Sequence, residues 1–259
     1  MSRCPSNNGN PELRVPNMLN EKKFALVVPT LNEAGNIEPL VTRIRAALDP
    51  ETINYEVIFV DDGSVDGTQQ AVRACSQTDP RVRLLERRGE KGLSGAVVHG
   101  WRNTSAELLG VIDADLQHPP EVLPQLLRAV ENGSDIAIGS RYVQAKRVEG
   151  WNPLRQVVSW LSTLTTLPLQ RPGVHVKDPM SGFFVVRREC IDGLQFQREG
   201  FKILLEVLVR GRIHSATEIP FQFGLRHAGK SKADMKVAFH YFSLLGKLSR
   251  DLIFRSSEQ

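Results

Sequence analysis

The strongest constraint on the fold is a repeated alternation of short apolar segments with helical patterns. FALVVP at 24–29 and YEVIFVDDGS at 55–64 are rich in β-branched and aromatic residues and too short for helices, which predicts buried strands. Between them, apolar residues recur at helical spacing from Ile37 to Leu48. Further strands are predicted at 81–86, 108–115, 135–140 and 183–188, and further helices from Asp66, Leu93 and Pro119. Strands alternating with helices predict right-handed crossovers and a doubly wound, mostly parallel α/β sheet.

Length and composition fit one domain with extensions. A chain of 259 residues, 41% hydrophobic and 24% charged, can bury one sizeable core. We expect a domain at 23–232, preceded at 1–22 by a disordered tail that is neither a signal peptide nor a structured element. The three cysteines are far apart and in no metal-like spacing, which disfavours a disulfide framework or a zinc site and favours a reduced, cytoplasmic setting. No segment reaches the ~18 uninterrupted apolar residues of a membrane span.

The net charge of +4 is concentrated near the carboxyl terminus. From Arg226 to the end there are seven basic residues against three acidic ones. Within 233–259, apolar residues such as Val237, Leu245 and Leu252 are interspersed with basic ones, which predicts a basic amphipathic helix. Such a helix can lie in a lipid headgroup layer or pack against its own domain, and both remain open. The basic residues do not form a recognised nucleic-acid module, so no nucleic-acid partner is expected.

Polar residues follow the predicted strands at the edge where doubly wound sheets bind ligands. The first strand ends in PTLNE, the second in DDGSVDGT, the fourth in DADLQ and the fifth in GSRY. Taken singly, Asn32, Asp66 and Asp113 are equally well explained as helix caps or turn formers. Four polar segments on one edge are harder to assign to capping, so together they predict a ligand site.

Asp113 and Asp115 end an apolar run two residues apart. In an extended chain both side chains would lie on one face, where two carboxylates repel each other unless a positive group lies between them. A divalent metal is the obvious candidate. His118 is a possible ligand by its chemistry, but its side chain is expected on the other face, so a structural role is favoured.

Six motifs occur along the chain: VVPTLNE, VDDGSVDGT, DADLQHPPE, GSRY, DPMSGFF and RHAGKSK. In order and spacing they resemble the family-2 glycosyltransferases of the GT-A fold, and more narrowly the dolichol-phosphate or polyprenol-phosphate mannose synthases. The resemblance implies an inverting, metal-dependent enzyme that moves mannose from GDP-mannose to a polyprenyl phosphate, dolichyl or undecaprenyl. A UDP-glucose-dependent glucosyltransferase and a catalytically silent subunit are alternatives. A processive synthase is disfavoured because a Q-x-x-R-W signature is absent.

The resemblance also implies roles for individual residues. The nucleotide base and ribose would be held at Pro29, Leu31, Glu33, Val60 and Asp62. The metal, Mg²⁺ or Mn²⁺, would be held by Asp113, Asp115 and Gln117, and the catalytic residues would be Asp115 and Arg141. The donor site would further include Asp113, Ala114, Asp115, Arg141, Arg226 and Lys232. The acceptor phosphate would meet Arg141, Arg155 and Ser159.

Two positions depart from the family's pattern. Leu31 stands where the family often has an aromatic residue, so stacking on the base is weaker, and guanine and uracil both stay open. Ser94 stands where the family usually has a glycine. Gly92 and Gly95 would still let the backbone approach a ligand, and they are equally well explained as glycines at a helix start.

The acceptor decides whether the reaction needs a general base. A sugar hydroxyl needs one, whereas a lipid phosphate, with a second pKa near ~6, is already an anion at neutral pH and needs positive charge to bind it. Asp178 is the best base candidate if the acceptor is a hydroxyl, and otherwise it caps a turn. Because some relatives without membrane spans rely on a membrane partner, the resemblance implies a peripheral protein on the cytoplasmic face of a membrane. A small integral-membrane anchor subunit is therefore a candidate partner.

Overall fold

The computed structural model describes residues 23–89, 92–142, 166, 170, 174–196, 202–222 and 224. Its strands are β1 (Phe24–Thr30), β2 (Tyr55–Asp61), β3 (Val82–Glu86), β4 (Leu108–Val111), β5 (Ile136–Ser140), β6 (Phe184–Arg187) and β7 (Ala216–Pro220). Its α-helices are α1 (Ala34–Leu48), α2 (Thr68–Thr78), α3 (Leu93–Arg102), α4 (Leu123–Glu131) and α5 (Ile203–Arg210). Short 3₁₀ helices lie at Pro120–Val122 and Arg188–Cys190.

The seven strands form one sheet in the order β3-β2-β1-β4-β6-β5-β7. β1 pairs in parallel with β2 and β4, β2 with β3, and β5 with β7. β6 runs antiparallel to its neighbours β4 and β5. The predicted α/β, mostly parallel, doubly wound sheet is therefore confirmed. The carboxyl ends of the parallel strands lie at one edge, and because β6 is reversed, the chain that enters β6 lies at that edge too.

Both faces of the sheet are covered by helices, which is why its strands read as continuous apolar runs. Phe24, Leu26 and Val28 of β1 belong to the core cluster formed with α1, α2 and α4. Ala25 and Val27 belong to the cluster formed with α3 and α5. All five side chains are fully buried. Burial on both faces fixes the register of β1 and therefore where its polar carboxyl end lies.

Several element boundaries differ from the predicted ones. β4 ends at Val111 rather than at 115, because DADLQ turns instead of continuing the strand. α2 begins at Thr68 rather than at Asp66, since the Asp66 carboxylate binds the main-chain N–H of Thr68 from outside the helix. The chain after Pro119 makes a 3₁₀ turn before α4 begins at Leu123.

The sequence patterns do not predict α5 and β7. Ile203 to Val209 of α5 are all buried, so no polar face marks the helical period. The five residues of β7 are half-buried throughout. The expected tail at 1–22, the RHAGKSK motif and the helix at 233–259 lie outside the described residues. No described helix is long and apolar enough to cross a bilayer.

Candidate active site

Asn32 joins the loop after β1 to the loop after β2. Its main-chain N–H donates to Ser64 Oγ (2.8 Å), and the N–H of Val65 donates to Asn32 Oδ1 (3.0 Å). Asn32 has a φ of 55°, a left-handed conformation that Asn adopts more readily than most residues. It is therefore a connector between loops and not the cap of α1, whose N-cap residue is Glu33.

Asp66 and Thr68 join the same two loops at the start of α1. Asp66 Oδ2 accepts a hydrogen bond from the N–H of Ala34 (3.1 Å), and Thr68 Oγ1 accepts one from the N–H of Glu33 (2.8 Å). These bonds satisfy main-chain donors that have no partner within a helix. Desolvation favours the neutral acid, but the hydrogen bonds from Thr68 and Ala34 outweigh it and lower the pKa of Asp66. We call the set formed by Asn32, Ser64, Asp66 and Thr68 the loop junction.

Asp61, the first aspartate of VDDGS, builds a turn. It is fully buried and accepts hydrogen bonds from the N–H groups of Gly63 (3.1 Å) and Ser64 (2.9 Å) and from Gln69 Nε2 (2.7 Å). Desolvation opposes ionisation of Asp61, yet the hydrogen bonds from Ser64 and Gln69 lower its pKa. Its carboxylate is already committed to this turn, so it offers little to a ligand.

Asp62, the second aspartate, is oriented by the residue that follows β3 and by the residue that precedes α3. Its Oδ1 accepts a hydrogen bond from Arg87 Nη1 (2.8 Å), and its Oδ2 accepts one from the N–H of Gly92 (2.9 Å). Both side chains of the pair are buried. Burial raises the pKa of Asp62, against the opposing effects of Gly92 and Arg87. A carboxylate held in this way can still accept further hydrogen bonds, such as those from the N–H groups of a nucleotide base.

Three residues expected at the nucleotide lie at the end of β1 and just after it. Pro29, Leu31 and Glu33 are half-buried there. Val60, the fourth such residue, is less accessible than these three, because its fully buried side chain on β2 packs toward Gly100 of α3. A nucleotide could therefore meet Val60 only through the main chain.

DADLQ forms a turn after β4. Leu116 has a φ of 62°, which is uncommon for a residue with a large side chain, and the N–H of Gln117 donates back to Asp115 Oδ1 (3.1 Å). The prediction that Asp113, Asp115 and Gln117 lie along an extended chain is wrong, because the chain turns here. Side chains alternate between two faces only within a strand, so these three do not share a face for that reason. Asp115 and Ala114 are buried, whereas the side chain of Asp113 is 32% exposed.

The carboxylate of Asp113 lies against Gly182 and His118. A Cβ atom on Gly182 would come within 2.6 Å of Asp113 Oδ2, so a larger residue would displace the carboxylate. Asp113 Oδ2 is 3.4 Å from His118 Nδ1. The His118 ring packs against Phe183 and Phe221, and burial lowers the pKa of His118 to about 4. This packing agrees with the structural role favoured for His118.

The donor chemistry of Asp113, Asp115 and Gln117 fits a hard divalent cation. Such ions prefer carboxylate and amide oxygens and often take one or two carboxylates together with phosphate oxygens. The side-chain nitrogen of Gln117 donates to the carbonyl of Gly224 (3.2 Å), and the N–H of Gly224 donates to the carbonyl of Gln117 (2.9 Å). Within the described part of the chain, no group of three or more His, Cys, Asp or Glu side chains forms a metal site.

Arg141 lies just after β5 and is paired with Asp178. Asp178 Oδ2 accepts hydrogen bonds from Arg141 Nε (2.8 Å) and from the Arg141 main-chain N–H (3.1 Å), and Asp178 Oδ1 accepts one from Nη2 (2.7 Å). The side chain of Asp178 is fully buried and that of Arg141 is 13% exposed. Burial disfavours the charged form of Arg141, but its bonds to Asp178 outweigh this effect and raise its pKa. Four other expected site residues, Arg155, Ser159, Arg226 and Lys232, lie outside the described residues.

A family model for glycosyl transferase family 2 matches residues 25–194, which include the loops after β1 and β2, the DADLQ turn, Arg141 and Asp178. The chain belongs to glycosyl transferase family 2. Among its relatives, a dolichol-phosphate mannosyltransferase from Pyrococcus furiosus is 43% identical over 231 residues, covering 88% of this chain and 64% of the relative. Proteins of the same name from Mycosarcoma maydis and Saccharomyces cerevisiae are 39% and 35% identical, each over 87% of this chain and over 79% and 86% of their own lengths. The family resemblance read from the motifs is therefore confirmed, and the chain spans just under two thirds of the archaeal relative.

Solved structures share the fold of this family-2 glycosyltransferase. A glucosyl-3-phosphoglycerate synthase from Mycobacterium tuberculosis, in complex with Mn²⁺, UDP-glucose and phosphoglyceric acid, matches with a TM-score of 0.64 at 20% identity, over 87% of this chain and 80% of its own. A mannosyl-3-phosphoglycerate synthase from Rubrobacter xylanophilus matches with a TM-score of 0.67 at 17% identity, over 91% of this chain and 75% of its own. At these identities the likeness shows the fold.

Lys202 is a residue at the site of this glycosyltransferase that the sequence patterns do not reveal. It immediately precedes α5 and is close enough to Arg141, Asp113 and Asp178 for their charges to act on it. Burial lowers the pKa of Lys202 and Arg141 lowers it further, while the two aspartates oppose them. A lysine beside an apolar run carries no signal of its own, so only the folded structure reveals it.

Proposed function

We propose that this glycosyltransferase moves mannose from GDP-mannose to a polyprenyl phosphate, dolichyl or undecaprenyl, with inversion at the sugar carbon. Three relatives that are 35–43% identical to it over 87–88% of its length carry the name dolichol-phosphate mannosyltransferase. Inversion requires one displacement, in which an acceptor oxygen attacks the sugar carbon from the side opposite the departing diphosphate. The protein must therefore hold a nucleotide diphosphate and a nucleophile on opposite sides of one sugar.

The observation that carries this proposal is the pairing of Asp178 with Arg141, which favours a phosphate acceptor over a hydroxyl acceptor. A hydroxyl acceptor requires a general base within hydrogen-bond reach of its proton. Asp178 is fully buried and already accepts three hydrogen bonds from Arg141, so it is poorly placed for that role. A phosphate acceptor requires positive charge instead, and Arg141 and Lys202 supply it at the same edge.

Asp113, Asp115 and Gln117 would hold the divalent cation, Mg²⁺ or Mn²⁺. When bound, the ion supplies Lewis-acid stabilisation of the leaving diphosphate. Asp113 is oriented by its contacts with Gly182 and His118, and Asp115 by the N–H of Gln117. Both carboxylates therefore have fixed positions before a donor binds, which reduces the reorganisation that the reaction requires.

The nucleotide would lie along the ends of β1 and β2. Pro29, Leu31 and Glu33 border this region, and the carboxylate of Asp62 can accept hydrogen bonds from the N–H groups of a base. Val60 and Ala114 are buried and would contribute through the main chain. Leu31 offers an apolar contact rather than an aromatic ring, which keeps UDP-glucose as the second candidate donor.

The remaining roles follow from the motif resemblance. Arg226 and Lys232 would contact the donor diphosphate, and Arg155 and Ser159 would contact the acceptor phosphate together with Arg141. The basic segment at 233–259 would meet the cytoplasmic surface of a membrane, with a small integral-membrane anchor subunit as a partner. The acceptor is itself a lipid, so contact with a membrane surface is a requirement of this reaction.

Sugar transfer to a short polyprenyl phosphate in detergent tests the proposal. Labelled GDP-mannose and UDP-glucose are compared in parallel, with Mg²⁺, with Mn²⁺ and with a chelator. We expect mannolipid from GDP-mannose alone and its loss on chelation. Product from UDP-glucose alone would instead identify the enzyme as a UDP-glucose-dependent glucosyltransferase.

The matched acceptor control is the same polyprenol without its phosphate. It should give no product, because it lacks the anion that Arg141 is proposed to bind and it needs a base. Equal transfer to the free polyprenol would contradict the phosphate acceptor. Binding of GDP without transfer from either donor would favour a catalytically silent subunit.

A further inference from the structure

We propose that Asp178 and Glu218 are positioning residues that hold the Arg141 guanidinium in place for a phosphate. The inference rests on the proposed function and concerns how its positive charge is oriented. We call Arg141, Asp178 and Glu218 the arginine brace. Its three members come from the end of β5, the segment that precedes β6, and β7.

The first step in the brace is the contact between Asp178 and Arg141. Both carboxylate oxygens are used, one with Nε and one with Nη2, in a bidentate arrangement. This arrangement fixes the plane of the guanidinium, which a single hydrogen bond would leave free to rotate. The further bond from the main-chain N–H of Arg141 to Oδ2 ties the carboxylate to the end of β5.

The second step is the contact between Glu218 and the segment that carries Asp178. Glu218 Oε2 accepts a hydrogen bond from the N–H of Lys177 (2.9 Å), and Oε1 accepts one from the N–H of Asp178 (3.1 Å). Glu218 lies on β7 opposite Ile138 of β5, so the same pair of strands supports both ends of the brace. Glu218 therefore fixes the main chain at Lys177 and Asp178.

Stability alone is a weak reason for such an arrangement. A fully buried carboxylate costs free energy on desolvation, and a buried ion pair is often no more stabilising than apolar residues of similar volume. The brace instead keeps hydrogen-bond donors of Arg141 where phosphate charge would gather, beside Asp113 and Lys202. Donors that are already oriented need not reorganise during the reaction, which is how fixed charges accelerate it.

Steady-state kinetics on four variants test the brace: Asp178→Asn, Glu218→Gln, Arg141→Gln, and Arg141→Gln combined with Asp178→Asn. For each we would measure kcat, the KM for donor and for lipid phosphate, and the thermal midpoint. We expect Asp178→Asn to lower kcat/KM by ~10- to 100-fold and Glu218→Gln by ~3- to 10-fold, as for hydrogen bonds to charged groups. Whichever of kcat, the KM for donor and the KM for lipid phosphate changes most in Arg141→Gln should also change most in these two variants.

The double variant separates positioning from direct catalysis. If Asp178 acts through Arg141, adding Asp178→Asn to Arg141→Gln should change kcat/KM by less than ~2-fold, because coupled residues are not additive. A full further loss would overturn the inference, since it would show that Asp178 acts on the reaction independently. Kinetics like those of the wild type in Asp178→Asn would also overturn it.

Glu56→Gln is the matched control for loss of a buried carboxylate. Glu56 is buried and accepts a hydrogen bond from Arg83 Nη1 (2.6 Å), but it lies at the amino end of β2, on the opposite edge of the sheet. This variant should lose stability while kcat and both KM values stay unchanged. If Asp178→Asn fails to fold, Glu218→Gln decides, and an unchanged kcat/KM in it would overturn the inference. Failure of the proposed function would appear in the wild type itself, as no mannolipid from GDP-mannose, whereas failure of the brace appears only among the variants.

Discussion

The two sides of the candidate site are built from different interactions. On the nucleotide side, the loop junction connects short polar side chains to main-chain N–H groups. On the transfer side, meaning Asp113, Asp115, Arg141 and Asp178, the last two form a buried ion pair and the carboxylate of Asp113 lies against Gly182. Among the described residues, two non-glycine residues have positive φ, Asn32 in the loop junction and Leu116 in the turn that follows Asp115. Hydrogen bonds to the main chain fix the shape of a loop, whereas buried charges fix an electrostatic field.

This difference predicts different kinetic consequences. Changes in the shape of a loop should alter how tightly the nucleotide binds, in ground state and transition state alike, and should therefore appear in KM. Changes in the position of a charge should alter stabilisation of the transition state and appear in kcat. Substitutions on the two sides can confirm or contradict this separation.

The largest effect is expected on the transfer side, from Asp115→Asn. It removes a proposed metal-binding charge with almost no change in volume, so kcat should fall by at least ~10²-fold. Sugar-transfer assays across a range of Mn²⁺ concentrations would measure it. Glu121→Gln is the control, since Glu121 is a nearby exposed carboxylate paired with Arg43. Equal losses in both variants would contradict a specific role for Asp115.

Gly182→Ala should come next, because its Cβ would displace the carboxylate of Asp113. We expect the metal concentration for half-maximal activity to rise by ~10-fold, in the range seen when groups that orient metal ligands are lost. Isothermal titration with Mn²⁺ in the presence of GDP would provide a second readout. Gly110→Ala is the matched control, since its Cβ would meet the ring of Phe24 in the core instead. An unchanged metal requirement in Gly182→Ala would contradict this account of Asp113.

On the nucleotide side, Asp66→Ala tests the loop junction. It removes the acceptor for the N–H groups of Ala34 and Thr68, a loss comparable to that of a helix cap. The KM for the donor should rise by ~5-fold, as expected for a loss of about 1 kcal/mol in binding, while kcat stays within ~2-fold. Thr78→Ala at the far end of α2 is the control. A fall in kcat with an unchanged KM would break the separation between the two sides.

The smallest effect on catalysis is expected at the opposite edge of the sheet, from Arg81→Gln. Arg81 donates to Asp79 and Asp49 there, and its hydrogen bond is the main cause of the lowered pKa of Asp79. We expect unchanged kinetics and a free energy of unfolding lower by ~1 kcal/mol near pH 7, a modest value because the pair is partly exposed.

The pH dependence of Arg81→Gln has a definite sign. A carboxylate with a lowered folded-state pKa contributes stability above its unfolded pKa of ~3.9, and this contribution is lost as pH falls through the folded value. The difference between wild type and variant should therefore shrink in acid. Urea unfolding of both proteins would measure this difference at a series of pH values, down to the lowest pH at which both are still folded. A difference that stays constant with pH would contradict the role of Asp79.

The sequence predicts the nucleotide side better than the transfer side. PTLNE and DDGSVDGT follow two adjacent parallel strands, so their meeting at one edge follows from the alternation of strands and helices. The extended geometry predicted for DADLQ is wrong because Leu116 reverses the local chain direction with a positive φ. Nothing in the local pattern at Asp178 distinguishes a base from a partner of Arg141.

What the sequence determined by itself was the parallel α/β sheet, its two-sided core, and the edge at which polar residues gather. These features depend on local properties, namely the period of apolar residues and the residue types at strand ends. Only the tertiary structure decided which polar residues meet. The reversed strand β6 lies between β4 and β5, which brings Asp178 to Arg141 and Gly182 to Asp113. The order of strands depends on packing across the whole sheet, so no short segment of the chain encodes these contacts.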